Sequence, residues 1–314
     1  MDQCGKILLP TSKKTLESLP LLLNRAKENG VDAYLLTGAD LRAMEPNCNP
    51  IFDRGLHVPF TSVIDPKEVA GSILADLSKL GGEVLYSHQV TEVNADDGTL
   101  LAGAKQFRST VVINAAGLHA DTIAGLSGLE SSYSFLPFQG KYWRVETPSM
   151  MRKLVYPIPN LDLPFLGMHT AHNRTGEVYL GPSSSPVFGR ENYRELNGLH
   201  TLEFLALFIS FSKKILFNVN GLRGLAFREL GLMLPGGIYR EANRLIQADQ
   251  GIKLKISPDK VGIRSQIFDE GNNYLVSDFV IKKQARVIHI LNVISPAFTA
   301  SFGLADMVMD HYIL

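Results

Sequence analysis

Two stretches of this chain carry the residue types that let a backbone come close to a ligand. In residues 109–121 the β-branched run Val111-Val112-Ile113 reads as a strand buried on both faces. It runs into Asn114-Ala115-Ala116-Gly117, where side chains nearly vanish, and a helix-compatible stretch, 118–126, follows. Strand, small-residue turn and helix together present backbone amides and a helix N-terminus to phosphates or ring edges. A tight turn in an α/β protein without any ligand has the same pattern, so both readings stand at this point. The second stretch repeats the theme. Residues 286–294 form a long apolar strand, Ser295-Pro296 reads as a cap and first helical position, and 297–311 reads as a helix rich in Ala, Ser and Gly. A helix N-terminus carries roughly half a positive charge. Aimed at the N1/O2 edge of a flavin, it would stabilise the negative charge of the reduced ring. The small residues Ser295, Ala297, Thr299 and Ala300 would permit that approach; a plain core helix is the alternative.

The bulk composition removes other classes of function. Lys plus Arg equals Asp plus Glu, 31 each, so net charge points to neither nucleic acid nor an anionic membrane. The two cysteines, Cys4 and Cys48, lie in no metal-type or CxxC spacing, which predicts a reduced compartment and no disulfide framework. The greasiest window, 204–211, is too short to span a bilayer and reads as a buried helix.

The remaining pattern supplies elements to position the turns. Residues 5–9 read as a strand. Leu16, Leu19, Leu23 and Ala26 share one helical face that closes at Gly30. Residues 34–36 read as a strand, 39–45 as a helix stopped by Pro46, and 55–60 as extended. Asp65-Pro66-Lys67-Glu68 is a strong helix start, with Val69, Ile73, Leu77 and Leu80 as the expected buried stripe. Residues 84–93 read as one or two strands, and Asp96-Asp97-Gly98 as a hairpin turn. Short extended pieces at 141–145, 154–158, 165–170 and 177–180 predict an antiparallel sheet, and 197–250 reads as mainly helical.

A set of short motifs recurs in one order along the chain: Cys4-Gly5-Lys6-Ile7; His57-Val-Pro-Phe-Thr61; Val112-Ile-Asn-Ala-Ala-Gly117 with Ala120-Asp121; Pro137-Phe-Gln-Gly140; Tyr156-Pro-Ile-Pro159; Pro164-Phe-Leu-Gly-Met-His169; Gly189-Arg-Glu-Asn-Tyr193; Gly262-Ile-Arg-Ser-Gln266; and His289-Ile-Leu-Asn292 with Ser295-Pro296. On these motifs the sequence resembles the FAD-dependent L-2-hydroxyglutarate oxidase/dehydrogenase family, within the wider D-amino-acid-oxidase and glycine-oxidase-like flavoproteins. The resemblance implies a mixed α/β (α+β) fold. A Rossmann-like FAD-binding layer would lie in 62–128 and 258–314, and an antiparallel-sheet substrate domain in 1–61 and 129–257.

It also implies hydride transfer from a 2-hydroxy acid to flavin N5, giving the 2-keto acid. Under that resemblance Arg264 is the clamp for the substrate carboxylate, because a guanidinium binds it bidentately. His57 and His169 are the candidate bases, since imidazole titrates near neutral pH. Tyr156 and Gln139 contact substrate. Val90, Ala115, Ala116, Gly117, Gly262, Asn292, Ser295, Pro296, Ala297, Phe298 and Thr299 line FAD. Some residues depart from the family: Gln139 stands where an arginine is usual, Ser62 replaces a glycine, and Val293-Ile294 replace a smaller Ala-Pro pair.

No Gly-x-Gly-x-x-Gly occurs, so the FAD layer is expected to be incomplete, with a partner chain or a further segment supplying the pyrophosphate cradle. A non-catalytic remnant or split subunit, and an oxidase of amines, amino acids or glycerol phosphate, are the alternative readings. The expected setting is the cytoplasm, at the inner membrane surface or free of it, with mitochondria as the alternative. The expected electron acceptor is a quinone or oxygen.

Overall fold

The computed structural model describes residues 1–146, 151–159, 167–173, 175–194, 197–198, 200–234, 236–248 and 251–314. Along the chain come β1 (Lys6–Leu9), α1 (Lys13–Glu17), α2 (Leu19–Glu28), β2 (Tyr34–Thr37), α3 (Gly38–Met44), β3 (Arg54–Val58) and α4 (Pro66–Lys79). Next are β4 (Val90–Asn94), β5 (Thr99–Ala102), β6 (Lys105–Arg108), β7 (Val112–Asn114), α5 (Ala120–Leu126), β8 (Tyr133–Phe135), β9 (Phe138–Glu146), β10 (Leu154–Pro157), β11 (His169–His172), β12 (Val178–Gly181) and β13 (Ser185–Pro186). The last part holds α6 (Thr201–Leu216), α7 (Leu222–Met233), α8 (Gly237–Ala242), β14 (Lys253–Arg264), β15 (Ile267–Asp269), β16 (Tyr274–Leu275), β17 (Val280–Gln284), β18 (Val287–Asn292) and α9 (Ser301–Val308). This is the expected mixture of α/β and antiparallel β structure.

One compact unit comprises residues 1–83, 140–184 and 224–261. Its first sheet has the order β10-β1-β3-β2. The two-residue period of a strand divides its side chains cleanly between faces. Ile7, Leu9 and Val155 pack with Leu41, Cys48, Met168 and Ile246 on one face. Leu8, Leu56 and Ile158 pack with Leu16, Leu19 and Leu23 of α1 and α2 on the other. A second, antiparallel sheet runs β11-β12-β9, with β14 on β9. The sequence pattern predicts the 154–158 strand in this antiparallel sheet. Instead β10 pairs parallel with β1, with Tyr156 opposite Leu8.

The single helix expected across Leu16 to Gly30 divides in two. Ser12 and Thr15 form a capping box on α1, and Ser18 opens α2 with Pro20 in its first turn, where a missing N–H costs nothing. Asp65 caps α4 as expected, its Oδ1 accepting from Lys67 N at 2.8 Å. The expected buried stripe of α4 is not buried, because its apolar residues meet solvent: Ile73, Leu77 and Leu80 are 42%, 40% and 86% exposed. Residues 164–166 of the Pro164–His169 motif, and the start of the strand expected over 165–170, lie outside the described residues.

The second unit comprises residues 84–139, 185–223 and 262–314. Its central sheet has the order β17-β18-β7, with β18 parallel to β7 and antiparallel to β17. Every residue of β18 is buried, the apolar Val287, Ile288, Ile290 and Leu291 as the sequence predicts, and with them the polar His289 and Asn292. Val287 packs on Val93 and Ala95, and Leu291 on Ala124 of α5 and Ile267. The alternate residues Ile288 and Ile290 pack on Val308 of α9. The strand expected over 84–93 forms only from Val90; Val84, Leu85 and Tyr86 are exposed, and Ser87 turns the chain at φ 58°. Asp96-Asp97-Gly98 makes the expected hairpin between β4 and β5.

Candidate functional site

In the second unit the two turns read from the sequence lie side by side. Val112, Ile113 and Asn114 of β7 are register partners of Val287, Ile288 and His289 of β18. Because the strands are parallel, both turns leave the same end of the sheet, the carboxyl edge where open α/β sheets bind ligands.

The first turn is held from inside and outside. Asn114 is buried, and its side chain engages both amide hydrogens and the carbonyl oxygen. Its Oδ1 accepts from Ala116 N (3.2 Å), and its Nδ2 donates to Ala120 O (2.7 Å) and lies 3.0 Å from His289 Nδ1. Ala115, Ala116 and Gly117 remain exposed. Gly117 has φ +57°, and a Cβ there would find no atom within 4 Å, so the glycine serves the left-handed turn and leaves an open approach. On the helix side Arg190 grips Asp121 bidentately at 2.7 and 2.8 Å, donates to Leu118 O, and reaches Glu203 at 3.1 Å. Its guanidinium also lies 4.0 Å from the Phe135 ring centroid. Ser265 Oγ donates to Gly117 O at 3.2 Å, which ties the segment bearing Gly262 and Arg264 to this turn.

The second turn is built differently. Asn292, at the end of β18, is fully buried; its Nδ2 donates to Asp278 O at 2.7 Å, while its Oδ1 has no hydrogen-bond partner among the described residues. Ser295, Pro296, Phe298 and Thr299 are exposed, with Ala297 half-buried. The helix expected to begin at Ser295-Pro296 begins at Ser301 instead. The peptide between Ser295 and Pro296 is cis, and 295–300 is a run of turns. There Thr299 Oγ1 donates to Pro296 O (3.1 Å) and Ser301 Oγ to Phe298 O (2.9 Å), hydroxyl bonds that compete with a regular helical start. An exposed small-residue backbone beside a buried, unpaired amide oxygen fits a flat ligand with an imide N–H, such as a flavin ring.

The other expected residues of this unit lie on β14, β9 and β4. Arg264 ends β14 and is half-buried. Gln139 is buried, and its Nε2 donates to the carbonyls of Asn192 (3.0 Å) and Tyr193 (3.1 Å), which assigns its amide to holding that loop. Val90 opens β4 and packs beside Val93.

The first unit holds the two candidate bases and Tyr156. Tyr156 and His169 stack, with ring centroids 4.0 Å apart and an interplanar angle of 16°. The Tyr156 hydroxyl is pushed up to about 12, chiefly by burial. His169 Nδ1 lies 2.9 Å from Gly167 O. It therefore carries the proton and leaves the lone pair on Nε2. Lys6, which sequence reasoning did not single out, has its ammonium 5.3 Å from the Tyr156 ring centroid, and burial lowers its pKa. Lys6 and Tyr156 are 150 positions apart, so only the β1–β10 pairing could reveal their proximity.

His57 stands elsewhere. It pairs with Ile7 in register, whereas Tyr156 pairs with Leu8, so the two side chains occupy opposite faces of the sheet. His57 Nε2 is buried with no hydrogen-bond partner among the described residues, and burial, then Lys153, lower its pKa. A Cβ on Gly5 would come within 3.1 Å of that nitrogen. The structure thus brings Tyr156 and His169 together and separates His57 from them. A cavity of about 360 Å³ in the same unit, lined by Thr15, Leu22, Ile158, Arg228 and Arg244 among others, holds none of these residues. Among the described residues, no helix is long and apolar enough to cross a membrane.

Known proteins resemble this chain in sequence and in fold. The pattern of the FAD dependent oxidoreductase family matches residues 1–311. The chain is 30% identical over 320 residues to L-2-hydroxyglutarate dehydrogenase of Escherichia coli strain K12, covering 98% of this chain and 73% of that protein. It is 27% identical over 330 residues to the mitochondrial L-2-hydroxyglutarate dehydrogenase of Homo sapiens, covering 98% of this chain and 70% of that protein. Among solved structures it is similar to the FAD-bound, dithionite-reduced L-α-glycerophosphate oxidase of Mycoplasma pneumoniae, with a TM-score of 0.68, 16% identity, and coverage of 96% and 71% of the two chains. It is also similar to L-proline dehydrogenase of P. horikoshii, with a TM-score of 0.65, 12% identity, and coverage of 98% and 72%. At these identities the two solved structures speak for the fold.

Proposed function

The chain belongs to the FAD-dependent oxidoreductase family, and on that premise we propose that it oxidises L-2-hydroxyglutarate, or a closely similar 2-hydroxy acid, to the 2-keto acid. The observation that carries the reading is the parallel pairing of β7 with β18, which sets two bare-backboned turns at one sheet edge beside the unpaired Asn292 Oδ1. The substrate class follows from the relatives matched over nearly the whole chain.

Bound FAD supplies the hydride acceptor at N5. The residues that would hold it are Ala115, Ala116 and Gly117 of the first turn, Gly262, and Asn292 with Ser295 to Thr299 of the second; Val90 would meet the adenine through its main chain. Arg264 takes the substrate α-carboxylate, because a planar guanidinium matches it with two parallel bonds. His169 receives the hydroxyl proton on Nε2, since Gly167 O already fixes its Nδ1–H. Tyr156 stacks on that imidazole and fixes its plane. The ammonium of Lys6 lies on the same side and complements the second carboxylate of a dicarboxylic substrate. His57 is the alternative base, and its buried neutral Nε2 suits that role on the opposite face. The electrons leave to oxygen or a quinone, in the cytoplasm or at the inner membrane surface, with mitochondria as the alternative setting.

The test is the purified protein incubated with FAD and titrated anaerobically with L-2-hydroxyglutarate. The flavin absorption should bleach with that substrate and not with its D-enantiomer. In Arg264→Ala, half-bleaching should need a far higher concentration. Bleaching by glycine, L-proline or glycerol phosphate in place of the hydroxy acid would overturn the substrate assignment. A protein that stays colourless after incubation with FAD would overturn the enzyme reading.

A further inference from the structure

The strand that carries the second turn also sends a side chain to the first. His289 is completely buried and lies in register opposite Asn114. The Asn114 carboxamide is read in one sense only: its oxygen takes the Ala116 N–H, so its nitrogen faces both Ala120 O and His289 Nδ1. His289 Nδ1 must then accept, and the imidazole proton sits on Nε2, which lies 3.3 Å from Ser127 Oγ. The Ser127 hydroxyl has one proton to give and lies within reach of two acceptors, Ala124 O (2.7 Å) and Gln284 Oε1 (2.8 Å), while Gln284 Nε2 donates to Ser127 O (2.9 Å). The directions from Asn114 through the two ring nitrogens of His289 to Ser127 Oγ are thereby fixed. The chain of bonds runs from the C-terminal end of α5 through β18 to the backbone of the first turn.

We propose that His289 is a positioning residue: by accepting from Asn114 through a neutral Nδ1, it locks the carboxamide that shapes the Ala115–Gly117 backbone. What that backbone is for rests on the cofactor reading above; the control of its shape does not. The groups facing the imidazole from β7, the end of α5 and β17 are Asn114, Ser127 and Gln284, all uncharged. Its cross-strand partner on β17 is Lys282, whose ammonium lies 5.9 Å from the Tyr133 ring centroid. Burial keeps the imidazole neutral down to a pH below its ordinary range. A proton on Nδ1 would remove the acceptor. The lock is therefore present at neutral pH and released as pH falls through the folded-state titration.

Hydrogen exchange of the full chain, read by mass spectrometry over residues 114–120, tests this. His289→Asn keeps an amide oxygen near the Nδ1 position, and His289→Leu keeps volume without an acceptor. With wild-type protein and His289→Asn, protection of the turn should agree, and in His289→Leu it should fall about tenfold, the size expected for a lost buried acceptor. Between about pH 8 and 5, wild-type protection corrected for intrinsic exchange should drop on the acid side, while His289→Asn stays flat. FAD affinity measured by flavin fluorescence should weaken about tenfold in His289→Leu and recover in His289→Asn. Wild-type protection in His289→Leu, or equal loss in both variants, would overturn the proposal. If His289→Leu fails to fold, a flat wild-type pH series overturns it instead. A loosened turn with unchanged FAD affinity would uphold the positioning role and remove the first turn from the cofactor site.

Discussion

Asn114 and Asn292 occupy equivalent places: each ends one of two parallel neighbouring strands, and they are 4% and 0% exposed. Their side chains are treated in opposite ways. Asn114 has both amide hydrogens and its oxygen engaged, so the first turn is finished by the protein alone. Asn292 has its nitrogen engaged and its oxygen buried without a partner. A buried acceptor left unpaired costs about 1–3 kcal/mol, a cost that a hydrogen-bonding ligand would remove. The contrast separates a turn whose shape the fold fixes from a turn whose polar balance a ligand completes.

The sharpest test exchanges the two asparagines for alanine. Asn114→Ala removes the bonds to the Ala116 N–H and the Ala120 carbonyl and leaves the buried His289 without its donor, so unfolding in urea should show a loss of about 3 kcal/mol without any FAD. Asn292→Ala removes the orphan oxygen and only one existing bond, so the FAD-free protein should lose about 1 kcal/mol or less. Its effect should appear when FAD is added: wild type should gain thermal stability by mass action, and Asn292→Ala should gain much less. Equal losses without FAD, together with equal FAD-induced shifts, would erase the distinction between the turns.

A smaller effect is expected at the outer support of the first turn. Arg190 sits between Asp121 and Glu203, with side chains 18%, 33% and 24% exposed. Removing it leaves two carboxylates near one another and a loose Leu118 carbonyl. The partial exposure of all three groups screens the charge, so Arg190→Ala should cost about 2 kcal/mol in urea unfolding. Arg190→Lys should recover only part of it, because an ammonium cannot hold Asp121 with two parallel bonds. Full recovery by lysine would reduce the contact to simple charge balance.

Much of this arrangement is legible in the sequence. The β-branched runs before Asn114 and Asn292, and the small residues after them, encode two strand-to-turn units through local pattern alone. The Asp65 cap was equally plain, since its partners are two and three residues away. What escaped detection depends on distant parts of the chain. Arg190 meets Asp121 across 69 positions, and His289 meets Asn114 across 175; no periodicity carries such pairings. The opposite orientation of His57 and Tyr156 was hidden for the same reason, because both lie in extended, proline-flanked stretches and only the register against β1 assigns their faces. The start of α9 differs from the sequence expectation because Ser295-Pro296 fits a helix cap locally, while Thr299 and Ser301 bond the preceding carbonyls instead.

The smallest expected effect tests a limit of pattern reading itself. The stripe of α4 and the run of β18 are both apolar, and the sequence predicts burial for each. β18 is enclosed by α5 and α9, whereas Ile73 on α4 stays 42% exposed. Periodicity reports which residues share a face and carries no information on what covers it. Ile73→Ser should therefore change the stability of this chain by about 0.5 kcal/mol or less, since the removed surface already meets water and the two residues have similar helix propensity. Ile288→Ala in β18 should cost about 3 kcal/mol by opening a cavity between sheet and helix. A loss at Ile73 comparable to that at Ile288 would mean that the α4 face is covered in solution, and that both apolar patterns do the same structural work.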